Sequence, residues 1–149
     1  MKESLMKIRV DADSTWAGHE SMRFAKEAGF KDKALWEIAI TASELASNIV
    51  KFAVRGTLTI REIFVPRHGI EIEAEDDGPG IDDPRAATKD GYSEGRDLSL
   101  EEGPYPRRGL GAGLGAVNRL MNELSIENKT DGGAKITARK WLTDNHNHE

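Results

Sequence analysis

Leu35-Trp36-Glu37-Ile38-Ala39-Ile40-Thr41-Ala42-Ser43-Glu44-Leu45-Ala46-Ser47-Asn48-Ile49 carries two stripes at helical spacing, and together they decide the fold. Leu35, Ile38, Ala42, Leu45 and Ile49 step by three and four, so one face of the helix is apolar and needs a core to cover it. Glu37, Thr41, Glu44 and Asn48 step in the same way and give the helix a second, polar face. Alone, such a stripe is usually solvated surface. Glu44 and Asn48, one turn apart, point to the same side, and the segments that follow give that pair a chemical reading.

Outward from this helix, the chain alternates elements of both kinds. Leu5, Ile8 and Val10 predict a first or edge strand. Residues 13–28 predict a helix, N-capped at Asp13 or Ser14 and closed by Gly29. Gly56 is expected to end the long helix. Thr57 to Val65 and Ile70 to Glu75 alternate apolar and polar residues like paired strands, with Pro66-Arg67-His68-Gly69 as the turn. A third helix is expected from Gly113 to Leu124, through Leu114, Val117, Leu120 and Met121. Ser125 to Asn128 and Ala134 to Trp141 read as closing strands around Asp131-Gly132-Gly133. The tail, 143–149, is expected to be disordered.

Composition narrows the class. The 149 residues amount to one domain, 1–149, with a net charge of −5 that gives no basic field for nucleic acid. No apolar run is long enough to span a membrane, and the N-terminus lacks the apolar core of a secretory signal. The chain has no cysteine, which excludes disulfides and thiol catalysis and is compatible with a reducing cytoplasm.

Two glycine-rich segments follow the Glu44/Asn48 pair. Asp76-Asp77-Gly78-Pro79-Gly80 ends a strand. A carboxylate there can accept a hydrogen bond from an exocyclic amine, and Gly78 and Gly80 permit close approach of the backbone to a ring. A plain turn is the competing reading. Gly109, Gly111, Gly113 and Gly115 precede and enter a helix, where backbone N–H groups and the helix terminus favour phosphate. No Gly-Lys-Ser/Thr follows, so this is not the P-loop. Arg107 and Arg108 lie beside it and could reach a terminal phosphate. Asn48 offers an amide oxygen suited to Mg2+, and Glu44 could polarise a hydroxyl. Residues 82–108 hold three of the five prolines and little periodicity, and such a stretch in a compact domain reads as a lid, about 82–112.

Three segments carry a resemblance. Ser43-Glu44-Leu45-Ala46-Ser47-Asn48-Ile49, Glu75-Asp76-Asp77-Gly78-Pro79-Gly80-Ile81 and Gly109-Leu110-Gly111-Ala112-Gly113-Leu114 resemble the N box and the two glycine boxes of GHKL-type ATPase domains. Asp90-Gly91-Tyr92-Ser93 and Arg119-Leu120-Met121 resemble the small bacterial anti-sigma-factor and switch-protein serine/threonine kinases, closest to the RsbT-type stressosome kinases. The resemblance runs from about Ile8 to Trp141. It implies the GHKL (Bergerat) fold: an α/β (α+β) two-layer sandwich, its mixed, mostly antiparallel sheet covered by helices on one face.

It further implies an ATP- and Mg2+-dependent kinase of a Ser or Thr on a STAS-domain partner, with a possible downstream regulator and homodimer. Glu44 would be the catalytic base, Asn48 the Mg2+ ligand and Asp76 the adenine contact. Gly78, Gly80, Arg108, Gly109, Gly111, Ala112, Gly113 and Leu114 would complete the nucleotide site. The chain departs from the family in two places. Ala134 stands where a Thr usually helps bind adenine, and the stretch between Ser93 and Gly109 is longer, with acids at Asp97, Glu101 and Glu102. A partner-binding switch with little or no catalysis is the alternative function.

Overall fold

The computed structural model describes residues 2–53, 55–80, 92–93, 96–97 and 109–143. Strand β1 (Glu3–Ile8) leads into α1 (Asp11–Ala28) and α2 (Lys33–Phe52), followed by β2 (Gly56–Ile63) and β3 (Gly69–Asp76). Two-residue strands β4 (Tyr92–Ser93) and β5 (Arg96–Asp97) pair with each other, and then come α3 (Gly109–Leu120), β6 (Glu123–Asn128) and β7 (Ala134–Trp141). The main sheet has the order β1-β2-β3-β7-β6, and every pairing is antiparallel. Among the described strands the expected sheet therefore holds no parallel pair.

Strand alternation sorts the sheet into two faces. Met6, Leu58, Ala74, Ile136 and Ile126 stand in one cross-strand row. Ile60, Ile72, Ala138 and Leu124 form the next, and both rows belong to the core that α1, α2 and α3 help bury. This arrangement is the two-layer sandwich. On the other face Glu3, Arg61, Glu71, Arg139 and Glu123 lie in register across all five strands, with charges alternating in sign.

The helices differ from expectation at their ends. α1 starts at Asp11 rather than around Asp13 or Ser14, with Val10 at the cap. Asp13 sits inside the first turn, where its carboxylate accepts the N–H groups of Arg9 and Val10 at 2.8 and 3.0 Å. Those bonds hold Asp13 below the usual carboxylate range. Gly29 closes the helix as expected, at φ 115°, where an L side chain would be strained. Gly56 opens β2 instead of ending α2. There a Cβ would run into the Glu75 carbonyl of the paired strand and meet the Ile49 side chain at 2.9 Å, so the glycine serves close packing against both strand and helix. α3 begins at Gly109 and stops at Leu120, which places Leu124 in β6.

Most of the expected lid, 82–112, lies outside the described residues, as do 144–149 of the expected tail. Among the described residues no helix is long and apolar enough to cross a membrane.

Candidate functional site

The polar stripe of α2 points inward rather than to solvent. Thr41 is fully buried, Asn48 is 6% exposed and Glu44 is half-buried. Thr41 Oγ1 and both Asn48 side-chain atoms, Oδ1 and Nδ2, are buried without a hydrogen-bond partner. Leaving such groups unpaired costs about 1–3 kcal/mol each. Three unpartnered atoms along one stripe are a cost that a polar ligand would relieve.

α3 forms the opposite wall. A Cβ added to Gly113 would lie 2.6 Å from Glu44 Oε1 and 4.0 Å from Asn48 Oδ1. Only a residue without a side chain leaves the carboxylate where it is, and this brings three sequence-selected positions together at one point. Leu114, the next residue, is fully buried and anchors α3 in the core. Gly109, Gly111 and Ala112 lie in the first turn of α3, not in a loop ahead of a helix starting at Gly113. Glycine weakens a helix interior by roughly 1 kcal/mol; at Gly113 the return is contact with α2 that a larger residue would block. Arg108, like Arg107, lies outside the described residues.

The residues fit a hard cation held mainly by a ligand. Asn48 supplies one orphaned oxygen donor, and among the described residues no group of three or more His, Asp or Glu side chains could hold a metal. A Mg2+ ion commonly takes one or two protein oxygens, with waters and substrate phosphates as the rest.

Asp76 closes β3, in register with Gly56 of β2. Its Oδ1 accepts the N–H of Gly78 at 2.9 Å and the N–H of Ala134 at 3.2 Å. Gly133, at φ 87°, presses on the Asp76 carbonyl so closely that any Cβ would overlap it. The β6–β7 turn thus holds Asp76 through backbone groups, and Ala134 makes its bond without a hydroxyl. The glycines after Asp76 have packing reasons of their own. A Cβ at Gly78 would meet the Phe52 carbonyl at 2.7 Å and Ala53 Cβ at 2.9 Å. Gly80 has φ 89°, and a Cβ there would meet Asn128 Oδ1 at 2.7 Å. The contact of Gly78 with Phe52 and Ala53 sets the Asp76 turn at the C-terminal end of the helix that carries Asn48.

One residue has no signal in the sequence. Lys140 Nζ donates to the Leu120 carbonyl at 2.6 Å and pairs with Glu37 Oε1 at 2.9 Å. It ties the end of α3 to α2, so Glu37 of the polar stripe is a structural partner. Only the folded chain brings β7, α3 and α2 to one point.

The histidine kinase-like ATPase domain matches residues 11–140, a span containing the Glu44, Asp76 and Gly113 segments. The chain belongs to this family. It is also 36% identical over 141 residues to the serine/threonine-protein kinase RsbT of Bacillus subtilis (strain 168), a likeness covering 94% of this chain and 97% of that one. The buried stripe of α2 and Gly113 of α3 face each other within the span that matches this family.

Proposed function

We propose that this chain is an ATP- and Mg2+-dependent protein serine/threonine kinase acting on a STAS-domain partner in a bacterial stress-signalling switch, in the cytoplasm. One observation carries the reading: the Glu44 carboxylate, the orphaned Asn48 amide and Gly113 converge at one point. The likeness to a serine/threonine-protein kinase over nearly the whole chain supports it.

Phosphoryl transfer demands positioning, charge neutralisation and a destination for the acceptor's proton. Mg2+ when bound supplies the charge neutralisation, and Asn48 Oδ1 would be its protein ligand. Glu44, half-buried and one turn before Asn48, would receive the proton of the acceptor hydroxyl. Asp76 would accept the exocyclic amine of adenine, its carboxylate already oriented by the Gly78 and Ala134 N–H groups. The Thr hydroxyl replaced by Ala134 is worth about 0.5–1.5 kcal/mol as one hydrogen bond, so adenine recognition is weakened and not abolished.

The test is calorimetric titration of ATP with Mg2+ into the wild type, Asn48→Ala and Asp76→Asn, followed by transfer from labelled ATP to a STAS-domain protein. Binding weakened by both substitutions, with label in the partner, is the expected result. Binding without transfer would instead make the chain a nucleotide-tuned partner-binding switch. No binding by the wild type would overturn the kinase reading and leave a partner-binding switch that keeps only the kinase fold.

A further inference from the structure

A kinase of protein substrates needs a surface that holds the substrate as well as a site that reacts. α2 carries a candidate on the line that leads to Glu44. Lys33, Trp36, Ile40 and Glu44 are spaced by three, four and four, and therefore run down one side of the helix. Four residues of helix rise about 6 Å, which places Ile40 about 6 Å and Trp36 about 12 Å along the axis from Glu44. Trp36 is 65% exposed and Ile40 44%, whereas Ile38, Leu45 and Ile49 of the same helix are buried and Leu35, Val50 and Phe52 partly so. Lys33 extends into solvent beyond them, with its nearest carboxylate, that of Glu37, 4.0 Å away.

Single exposed apolar residues need no explanation. A Trp one turn from an Ile, in line with the reacting carboxylate, is a different arrangement, because Trp is enriched among residues that dominate protein interfaces. Among the described residues, Leu5 at the edge of the outer sheet face is exposed but has no tryptophan beside it and no line to Glu44. The charges of that face are spent on each other: Arg61 on Glu3, Glu71 and Glu73, Arg139 on Glu71 and Glu123, and Lys135 on Glu73.

We infer that Trp36 and Ile40, rimmed by Lys33, form the docking surface for the protein whose hydroxyl is phosphorylated. The assignment rests on the kinase reading proposed above. The occupant is a folded protein presenting an apolar patch with a carboxylate at its margin, seated so that its acceptor Ser or Thr reaches Glu44 at the far end of the line. Trp36 and Ile40 would set how tightly that partner is held. The chemistry would remain with the Glu44 end.

The experiment is steady-state phosphorylation of a STAS-domain protein encoded by the same genome, with label from ATP, by the wild type and by Trp36→Ala, Ile40→Ser and Lys33→Glu. Phe64→Ala serves as the control, since Phe64 is 61% exposed but lies in the β2–β3 connection. Trp36→Ala is expected to raise KM for the protein substrate about tenfold or more, with ATP affinity and kcat at saturation within about threefold of the wild type. Ile40→Ser and Lys33→Glu should raise it less, Trp36→Phe should recover part of the loss, and Phe64→Ala should change nothing. Transfer by the wild type with the same KM in Trp36→Ala and Ile40→Ser would overturn the docking assignment and leave the kinase reading standing. Absence of transfer by the wild type would overturn the kinase reading, and the docking assignment with it. If Trp36→Ala instead converted a dimer into a monomer by light scattering, with KM unchanged, the patch would belong to a second copy of this chain.

Discussion

The outer sheet face and the inner stripe of α2 are both polar, yet they are built in opposite ways. On the sheet, Glu71 is only 8% exposed, and its two oxygens are taken by Arg61 at 2.5 Å and Arg139 at 2.9 Å. On α2, Asn48 is equally buried and neither of its polar atoms has a partner. Folding has completed the first set and left the second incomplete. Satisfied polar groups stabilise a structure, whereas an orphaned set is a standing cost that a ligand can relieve. The difference is the observation on which the proposed site rests.

The largest effect should come from the residue where the incomplete stripe meets solvent. Glu44→Gln keeps the shape and removes the proposed base, so phosphoryl transfer should fall by about a hundred- to ten-thousand-fold, with thermal stability nearly unchanged. Unaltered transfer in this variant would break the assignment of chemistry to the stripe. Gly113→Ala attacks the same point from α3. Its new Cβ would lie 2.6 Å from Glu44 Oε1, and the carboxylate, as the flexible end of a side chain, would move aside. A displacement near 1 Å can cost about a hundredfold in rate, so transfer should drop by up to that amount. The helix itself should gain, because Ala is favoured over Gly by roughly 1 kcal/mol. A variant that is more stable and less active is the signature to look for by calorimetry and by transfer from labelled ATP.

Asn48→Ala sharpens the contrast directly. Nucleotide binding in the presence of Mg2+ should weaken about tenfold or more, the size of one lost charge-assisted contact. Stability should shift by less than about 1 kcal/mol, since the amide contributes no hydrogen bond in the described structure and its removal offsets the lost packing. Glu71→Ala should do the reverse. Removing a carboxylate that holds two arginines should cost about 1–3 kcal/mol in urea unfolding, while ATP affinity stays at the wild-type value. Equal stability losses in the two variants would dissolve the distinction.

How much of this was legible beforehand follows the range of the interactions. The two stripes of α2 and the alternation of β2, β3 and β7 are local periodicities, and the fold follows from them. Glu44, Asn48 and Gly113 were selectable because glycine and polar spacing have few other meanings in that order. The residues that anchor the site were not. Lys140 reaches Leu120 and Glu37 only after β7, α3 and α2 have assembled. Gly78 reads as a residue that admits a ligand, but it also admits the Phe52 carbonyl. α1 starts ahead of the expected Asp13 or Ser14 because Asp13, a good cap by type, does its capping from inside the first turn through backbone N–H groups ahead of it. Each of these is a contact between segments or a competition between equivalent caps, and local pattern does not rank such choices.

The smallest expected effect concerns acid. Burial would raise the Glu73 carboxyl, but hydrogen bonds from Lys135 and Arg61 outweigh it and hold the group below its ordinary value of 4.5. A carboxylate depressed in the folded state adds stability that is fully present above the unfolded value. That stability is lost as pH falls through the folded one. The outer face should therefore begin to weaken below about pH 4.5, by less than about 1 kcal/mol for this partly exposed network. Glu20, lowered mainly by its hydrogen bond from Arg23, adds in the same direction and pH window. Unfolding by urea from pH 7 to pH 3 checks this: Glu73→Gln should flatten the acid limb, while Asn48→Ala should keep the wild-type slope. An acid limb unchanged in Glu73→Gln would mean that the pairs of Glu73 with Arg61 and Lys135 contribute nothing to stability, and the contrast between a completed and an incomplete polar surface would then rest on Glu71 and its two arginines.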